Sequence, residues 1–304
     1  EYRTVRATED GHAVAFEPCI LEYGDVYKLR QPELVVDFKK TQEQFEMIQD
    51  VLGDILDVQQ GQPFMCTHGW GESMIDQFVE MRGLEQFYID MIDAPQFVHE
   101  VMRLMTDMKL RLLDQYREMG AFTLNHQSRT GAASYTFTDE LPGNDYVPAH
   151  VVEKNMWGFA QAQELSGVSP EMLEEFVLPY QAEMLNRFGL SAYGCCEPMD
   201  IKIASVERFI DNMRIFFISP YTNQRLAAEI SKGRHVLALK LHAELFSHFE
   251  EARAEVYLKD VLKSTNGCPV TLTFGEIMEY GKDENVFGRA VRVAKRAVDD
   301  YWRN

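Results

Sequence analysis

Cys195, Cys196 and Glu197 stand in a row directly after the apolar run Leu190 to Tyr193 and a glycine. Two thiols and a carboxylate leaving a strand-like segment are the donor types that hold zinc with an open coordination position. Adjacent side chains on an extended backbone point to opposite sides, so one sulfur at most faces a given site unless the chain bends there. The pair also reads as two small buried hydrophobes, because free cysteine is among the most buried residue types. No Cys-x-x-Cys and no His-Glu-x-x-His completes a local metal motif.

Other reactive residue types follow apolar runs in the same way. Asn125-His126-Gln127 follows Phe122 to Leu124, Ser219-Pro220 follows Ile215 to Ile218, and Lys240-Leu241-His242 ends the run from Val236. His68-Gly69-Trp70 follows Pro63 to Thr67, and Gly275-Glu276 follows Val270 to Phe274. His126 reads as a ligand, a general base or a hydrogen-bond donor to substrate, or as a packed histidine held by a carbonyl. With Asn125 it forms the candidate pair for orienting substrate. Tyr193, Lys240 and His242 are the candidates for contacting it. His68 sits in a Gly-rich turn and reads as structural, and Cys19, Cys66 and Cys268 lie on or beside apolar runs and read as core.

Elements must bring these residues together. Strand candidates are 13–20, 63–67, 122–125, 190–193, 215–219, 236–241 and 270–274, each apolar, β-branched or aromatic. Helical patterns alternate with them. One spans 41–58. A second spans 94–119, with Asp93-Ala94-Pro95 at its start and Phe97, Val98, Val101, Met102, Met105 and Met108 on one face. Ser169-Pro170 opens a third, which runs toward Phe188, and the acids of its first turn suit a helix N-terminus. Further helices span 223–232, 244–264 and 286–301. This cadence predicts βαβ units and a parallel sheet. Seven strands, with an eighth before the start or at 144–151, predict a TIM-type (β/α)8 barrel, for which about 250 residues suffice. We expect one barrel over 61–304 and an N-terminal elaboration over 1–60. An open doubly wound sheet lacks its Gly-rich phosphate fingerprint here.

The chain has 304 residues, 46% hydrophobic and 26% charged, with a formal charge of −18. Such composition is globular. The acidity disfavours nucleic acid and acidic membrane surfaces as partners, and no apolar run approaches bilayer length. Five cysteines in a chain this long suggest reduced thiols rather than a disulfide scaffold. Without an initial Met or a signal-peptide apolar segment, we expect a piece of a longer cytoplasmic protein.

The order from Trp157-Gly158-Phe159-Ala160-Gln161-Ala162-Gln163-Glu164-Leu165-Ser166-Gly167-Val168-Ser169-Pro170-Glu171-Met172 through Glu175-Phe176, Pro179-Tyr180 and Phe188-Gly189-Leu190 to Tyr193-Gly194-Cys195-Cys196-Glu197-Pro198 resembles the uroporphyrinogen-III decarboxylase-like superfamily. The branch it is most similar to is that of the cobalamin-dependent methyltransferases. Tyr135, Thr138-Asp139-Glu140-Leu141-Pro142, Ser219-Pro220 and Asn266-Gly267-Cys268-Pro269 carry the same resemblance, which covers about 125–274.

The resemblance implies a TIM-type barrel and one of two chemistries. Decarboxylases of the family use no cofactor and bind a polycarboxylate through an N-terminal Arg-rich motif, which this chain lacks. The methyltransferases hold zinc with His-x-Cys after a middle strand and a later Cys after the last one, facing a corrinoid on a separate protein. Here Tyr193-Gly194-Cys195 keeps the Cys and not the His, Gly275-Glu276 stands after the last strand, and Lys240-Leu241-His242-Ala243 replaces a common Lys-Pro-Asn-Pro. The implied metal set is therefore Cys195, Glu197 and Glu276, with His126 as a further candidate. Asp10-x-His12-x-x-Ala15 lacks the closing Gly of the cobalamin-binding Asp-x-His-x-x-Gly motif, so a corrinoid is expected on a partner protein. The expected activity is methyl transfer between a small methylated compound and that corrinoid protein, with zinc as Lewis acid. Its rivals are a cofactor-free decarboxylase and a non-catalytic ligand-binding barrel.

Overall fold

The computed structural model describes residues 3–6, 14–60, 73–126, 129–130, 134–135, 137–246, 248–265, 267–275, 277, 280 and 283–303. The strand expected at 63–67, His68, Cys66 and Glu276 lie outside the described residues.

The chain starts with an antiparallel hairpin, β1 (Arg3–Arg6) and β2 (Val14–Glu17). Of the apolar run at 13–20, Val14–Glu17 thus pairs antiparallel with β1 rather than joining the parallel sheet. Helices α1 (Phe38–Leu52), α2 (Ile75–Arg82), α3 (Leu84–Asp93) and α4 (Pro95–Glu118) follow. Of the stripe predicted in α4, Phe97, Val98, Val101, Met102 and Met105 are buried and Met108 is half-buried, so these methionines are packing. A two-residue ladder joins β3 (Arg129–Thr130) to β4 (Ser134–Tyr135). The segment 144–151 holds one isolated bridge, Val147 to His150, and no strand.

The core is a five-stranded parallel sheet of β5 (Trp157–Ala160), β6 (Leu190–Tyr193), β7 (Met213–Ile218), β8 (Val236–Leu241) and β9 (Val270–Phe274), each strand beside its predecessor in the chain. The connections carry α5 (Pro170–Phe176) and α6 (Leu178–Leu185), then α7 (Ile203–Phe209), α8 (Gln224–Ser231) and α9 (Glu251–Ser264), with α10 (Val286–Arg303) last. Ser169 and Asn223 cap α5 and α8, accepting from the Met172 and Leu226 N–H groups. The helix read toward Phe188 is two helices, broken at Val177 ahead of Pro179.

Period-two alternation divides the sheet into two faces. Ala160, Tyr193, Phe216, Ile218, Leu237, Leu239 and Leu241 join one core with the helices. Trp157, Phe159, Leu190, Ala192, Ile215, Phe217 and Ala238 form a separate cluster with Leu141. Consecutive order is what successive same-handed crossovers produce, and among the described strands there is no reversal of the kind a doubly wound sheet needs. Among the described residues, no helix is long and apolar enough to cross a membrane.

Candidate functional site

At the C-terminal ends of β6, β7 and β8 the chain turns, and the polar residues that leave these strands converge. Gly194 makes the first turn. Its φ is +105°, and a Cβ there would stand 3.0 Å from both the Phe217 carbonyl oxygen and Met199 Sδ. Glycine alone fits without strain. The bend overrides the alternation of an extended strand: Cys195 and Cys196 Sγ atoms lie 3.6 Å apart. Cys195 is buried, whereas Cys196 reaches the surface of a cleft of about 300 Å3. Ser219, Tyr221, Lys240, His242 and Gly275 line the same cleft.

Lys240 follows Val236 and Ala238 on the face away from the helices, and only 3% of it is exposed. Its Nζ donates to Cys196 Sγ at 3.3 Å. Thr273 of β9 stands opposite Lys240 in register. The Cys195 thiol is pushed well above its ordinary pKa, first by its hydrogen bond with Cys196 and then by burial, with the Lys240 charge opposing. His242 is exposed at the rim, its ring edge-on to Tyr221 and Tyr257 at 6.4 and 6.0 Å between centroids.

Glu197, an implied metal ligand, is 1% exposed and is engaged by the backbone. Its Oε1 accepts the Ala162 N–H at 3.0 Å and its Oε2 accepts the Cys195 N–H at 2.8 Å. Lys202 Nζ lies 3.9 Å from Oε1 and donates to the Ala162 carbonyl oxygen at 2.9 Å. Burial lowers the Lys202 pKa, opposed by the Glu197 and Glu164 charges. Ser219 Oγ donates to the Glu197 carbonyl oxygen at 3.0 Å. Glu197 therefore ties the end of β5 to the cysteine turn.

Two other candidates are placed away from the cleft. Tyr193 faces the helix layer, fully buried, and its hydroxyl donates to Gln181 Oε1 at 2.8 Å. Burial is the main cause of its raised pKa. Asn125 stands beside the first residue of β5, accepting from the Trp157 N–H at 2.9 Å and donating to the Trp157 carbonyl oxygen at 3.0 Å. Among the described residues the run 122–125 pairs with no strand, and it is the Asn125 side chain that holds the Trp157 backbone. Asn125 and His126 are not among the residues lining the cleft, and His126 Nδ1 is buried with no hydrogen-bond partner among the described residues. Of the other residues read from sequence, Cys268 is buried and Cys19 is exposed rather than in the core.

The cleft thus joins Cys196, Lys240 and His242, with Cys195 beneath them. The metal set implied by the sequence took Cys195 and left out Cys196, and Gly194 was the signal for Cys196 at the cleft, since a glycine directly before the pair permits the bend. Compared with known proteins, the chain matches no family model and no curated sequence.

Proposed function

We propose that this chain is a (β/α)8-barrel enzyme of the uroporphyrinogen decarboxylase-like superfamily that moves a methyl group between a small methylated compound and a corrinoid carried by a separate protein. The observation that carries the reading is the contact of Lys240 Nζ with Cys196 Sγ, 3.3 Å apart at the cleft where parallel strands end. Parallel barrels do their chemistry at that end. Consecutive parallel strands with their connecting helices in one core support the barrel.

A volume of about 300 Å3 suits a small substrate. A corrin macrocycle is far larger, and would approach from outside the cleft on its own protein. Bound there, the corrinoid supplies or accepts the methyl group. The chain's task is the leaving atom. As the methyl–heteroatom bond breaks, its electron pair stays on the heteroatom; Lys240 Nζ gives that atom a proton and regains one from solvent. His242 and Tyr221 at the rim orient the remainder of the substrate.

Zinc bound to two thiolates holds their sulfurs roughly 3.8 Å apart at ordinary bond lengths, so the 3.6 Å pair Cys195 and Cys196 fits one edge of such a site. Glu197 does not fit as the third ligand, since both oxygens accept backbone N–H groups. No group of three donors exists among the described residues, and no step is assigned to the metal.

Cofactor-free decarboxylation is the second reading, and buried Lys240 favours it, because an ammonium at a closed cleft holds a carboxylate well. The test is product analysis with methyl ethers, amines and thioethers, each with and without a reduced corrinoid protein. Demethylation only with that protein is expected. Equal product without it overturns the proposal, and carbon dioxide release from a carboxylated substrate selects the second reading.

A further inference from the structure

Consecutive cysteines on an extended chain send their sulfurs to opposite sides. Here one turn gathers both, and that turn is fixed at each end. Gly194 adopts a φ of +105° before the pair. After it, Glu197 Oε2 accepts the Cys195 N–H at 2.8 Å, and Ser219 Oγ donates to the Glu197 carbonyl oxygen at 3.0 Å. The two Sγ atoms stand 3.6 Å apart as a result. Closing them to the roughly 2.05 Å of a disulfide takes about 1.5 Å of movement.

The sulfurs differ in their surroundings. Cys195 is 2% exposed. Cys196 lines the cleft, and Lys240 Nζ donates to its sulfur at 3.3 Å. An adjacent ammonium supports negative charge on a sulfur, the form that attacks an oxidant. Cys19 and Cys268 do not line the cleft, and the Cys268 thiol donates to the Ala228 carbonyl oxygen. Among the described cysteines, Cys195 is therefore the one within reach of Cys196.

We infer that Cys195 and Cys196 are a modification site, which a hydroperoxide entering the cleft converts reversibly to a vicinal disulfide. With hydrogen peroxide, Cys196 Sγ attacks one oxygen and the O–O bond breaks. The departing hydroxide takes the thiol proton and leaves as water, and Cys196 becomes a sulfenic acid. Cys195, kept a thiol by its hydrogen bond with Cys196 and by burial, attacks second. An S–S bond forms as the S–O bond breaks, and the hydroxyl leaves as a second water with the Cys195 proton. The two thiols lose two electrons and the peroxide gains them. Adjacent Cα atoms are about 3.8 Å apart across a trans peptide, below the roughly 4.4–6.8 Å that ordinary disulfides span. The closed ring is strained, and strained disulfides are the readily reduced ones that serve as switches. Closure also removes the charge that Cys196 can carry against Lys240.

The test uses the full chain, reduced, then freed of reductant and of metal by chelator, treated with hydrogen peroxide, alkylated and digested with trypsin. The readout is mass rather than turnover, so it is independent of the reaction proposed above. Cleavage after Arg187 and Lys202 gives the peptide 188–202, which holds Cys195, Cys196 and no other cysteine. This peptide should be lighter than its dithiol form by two hydrogens and carry no alkyl group, and dithiothreitol should return both thiols to alkylation. The bond should form at least about tenfold faster in the folded chain than in urea, where the turn is lost. Cys195→Ser removes the second sulfur and should stop at a Cys196 sulfenic acid, trapped as its dimedone adduct. Two alkylatable thiols after peroxide, a Cys196 sulfinic acid beside an intact Cys195, equal rates folded and unfolded, or no adduct on Cys195→Ser overturns the inference.

Discussion

Replacing Asp76 by Asn should remove much of the dependence of stability on pH in the mildly acidic range. Asp76 lies in the first turn of α2 and is 6% exposed. Its carboxyl is pushed from 3.8 up to about 7, first by burial and then by the Glu164 charge, with Lys109 opposing. A carboxyl raised in the folded state keeps its proton where the unfolded chain has lost it. Stability then falls as pH rises through the interval from about 4 to 7, and the whole cost is present above it. Three pH units at 1.36 kcal/mol each make that cost about 4 kcal/mol. Glu164, raised by its own burial, acts in the same direction. Asn resembles the protonated acid in shape and charge. Urea unfolding at pH 4, 5, 6, 7 and 8 should show wild type and Asp76→Asn converging at pH 4 and parting to about 4 kcal/mol at pH 8, the variant being more stable. Parallel curves across this range would refute the assignment of the slope to Asp76.

Three further predictions concern the site's framework. Glu197→Ala leaves Lys202 buried without its counter-charge and two N–H groups without an acceptor, and should cost about 3–5 kcal/mol in chemical denaturation. Adding Lys202→Met should recover part of that loss. Gly194→Ala places a side chain at a φ of +105° against the Phe217 carbonyl; it should cost about 1–3 kcal/mol and alter the alkylation rate of Cys196, read by mass spectrometry. Asn125→Ala unpairs the Trp157 backbone and should lower stability by about 1–3 kcal/mol, while kcat of the folded variant stays within a few-fold of wild type; a large kcat loss at unchanged stability would return Asn125 to the catalytic set.

Much of the fold was legible where one signal dominated. The stripe and early proline of α4, the Ser169-Pro170 start of α5 and the apolar runs of β6, β8 and β9 each had a single interpretation. β5 escaped because Trp157-Gly158-Phe159-Ala160 has no β-branched residue. Its glycine is needed by packing, since a Cβ at Gly158 would stand 2.8 Å from the Phe188 ring. The run 13–20 had the composition of a strand but not its partner: its pairing with β1 is a property of the hairpin, not of the run. The site was legible as a set of strand ends and illegible in its directions. Tyr193 and Lys240 both lie on strands that enter the cleft, and alternation alone sends one to the helices and the other to Cys196. Glu197 looked like a ligand because acids beside cysteines often are, and only the folded chain brings the Ala162 and Cys195 N–H groups to its two oxygens.

The account rests on Lys240 and Cys196 facing one substrate at the cleft. The direct measurement is kcat of Lys240→Met and Cys196→Ala in corrinoid-protein-dependent demethylation, with folding checked by thermal unfolding. Losing a positioned proton donor lowers rates by about 10²–10⁴, so Lys240→Met is predicted to fall in that range, with a steeper loss for substrates whose leaving atom is a poorer leaving group. Cys196→Ala should reduce turnover and change the pH profile by removing the atom Lys240 holds. Wild-type rates from a folded Lys240→Met on every methyl donor that the wild type turns over would contradict the account.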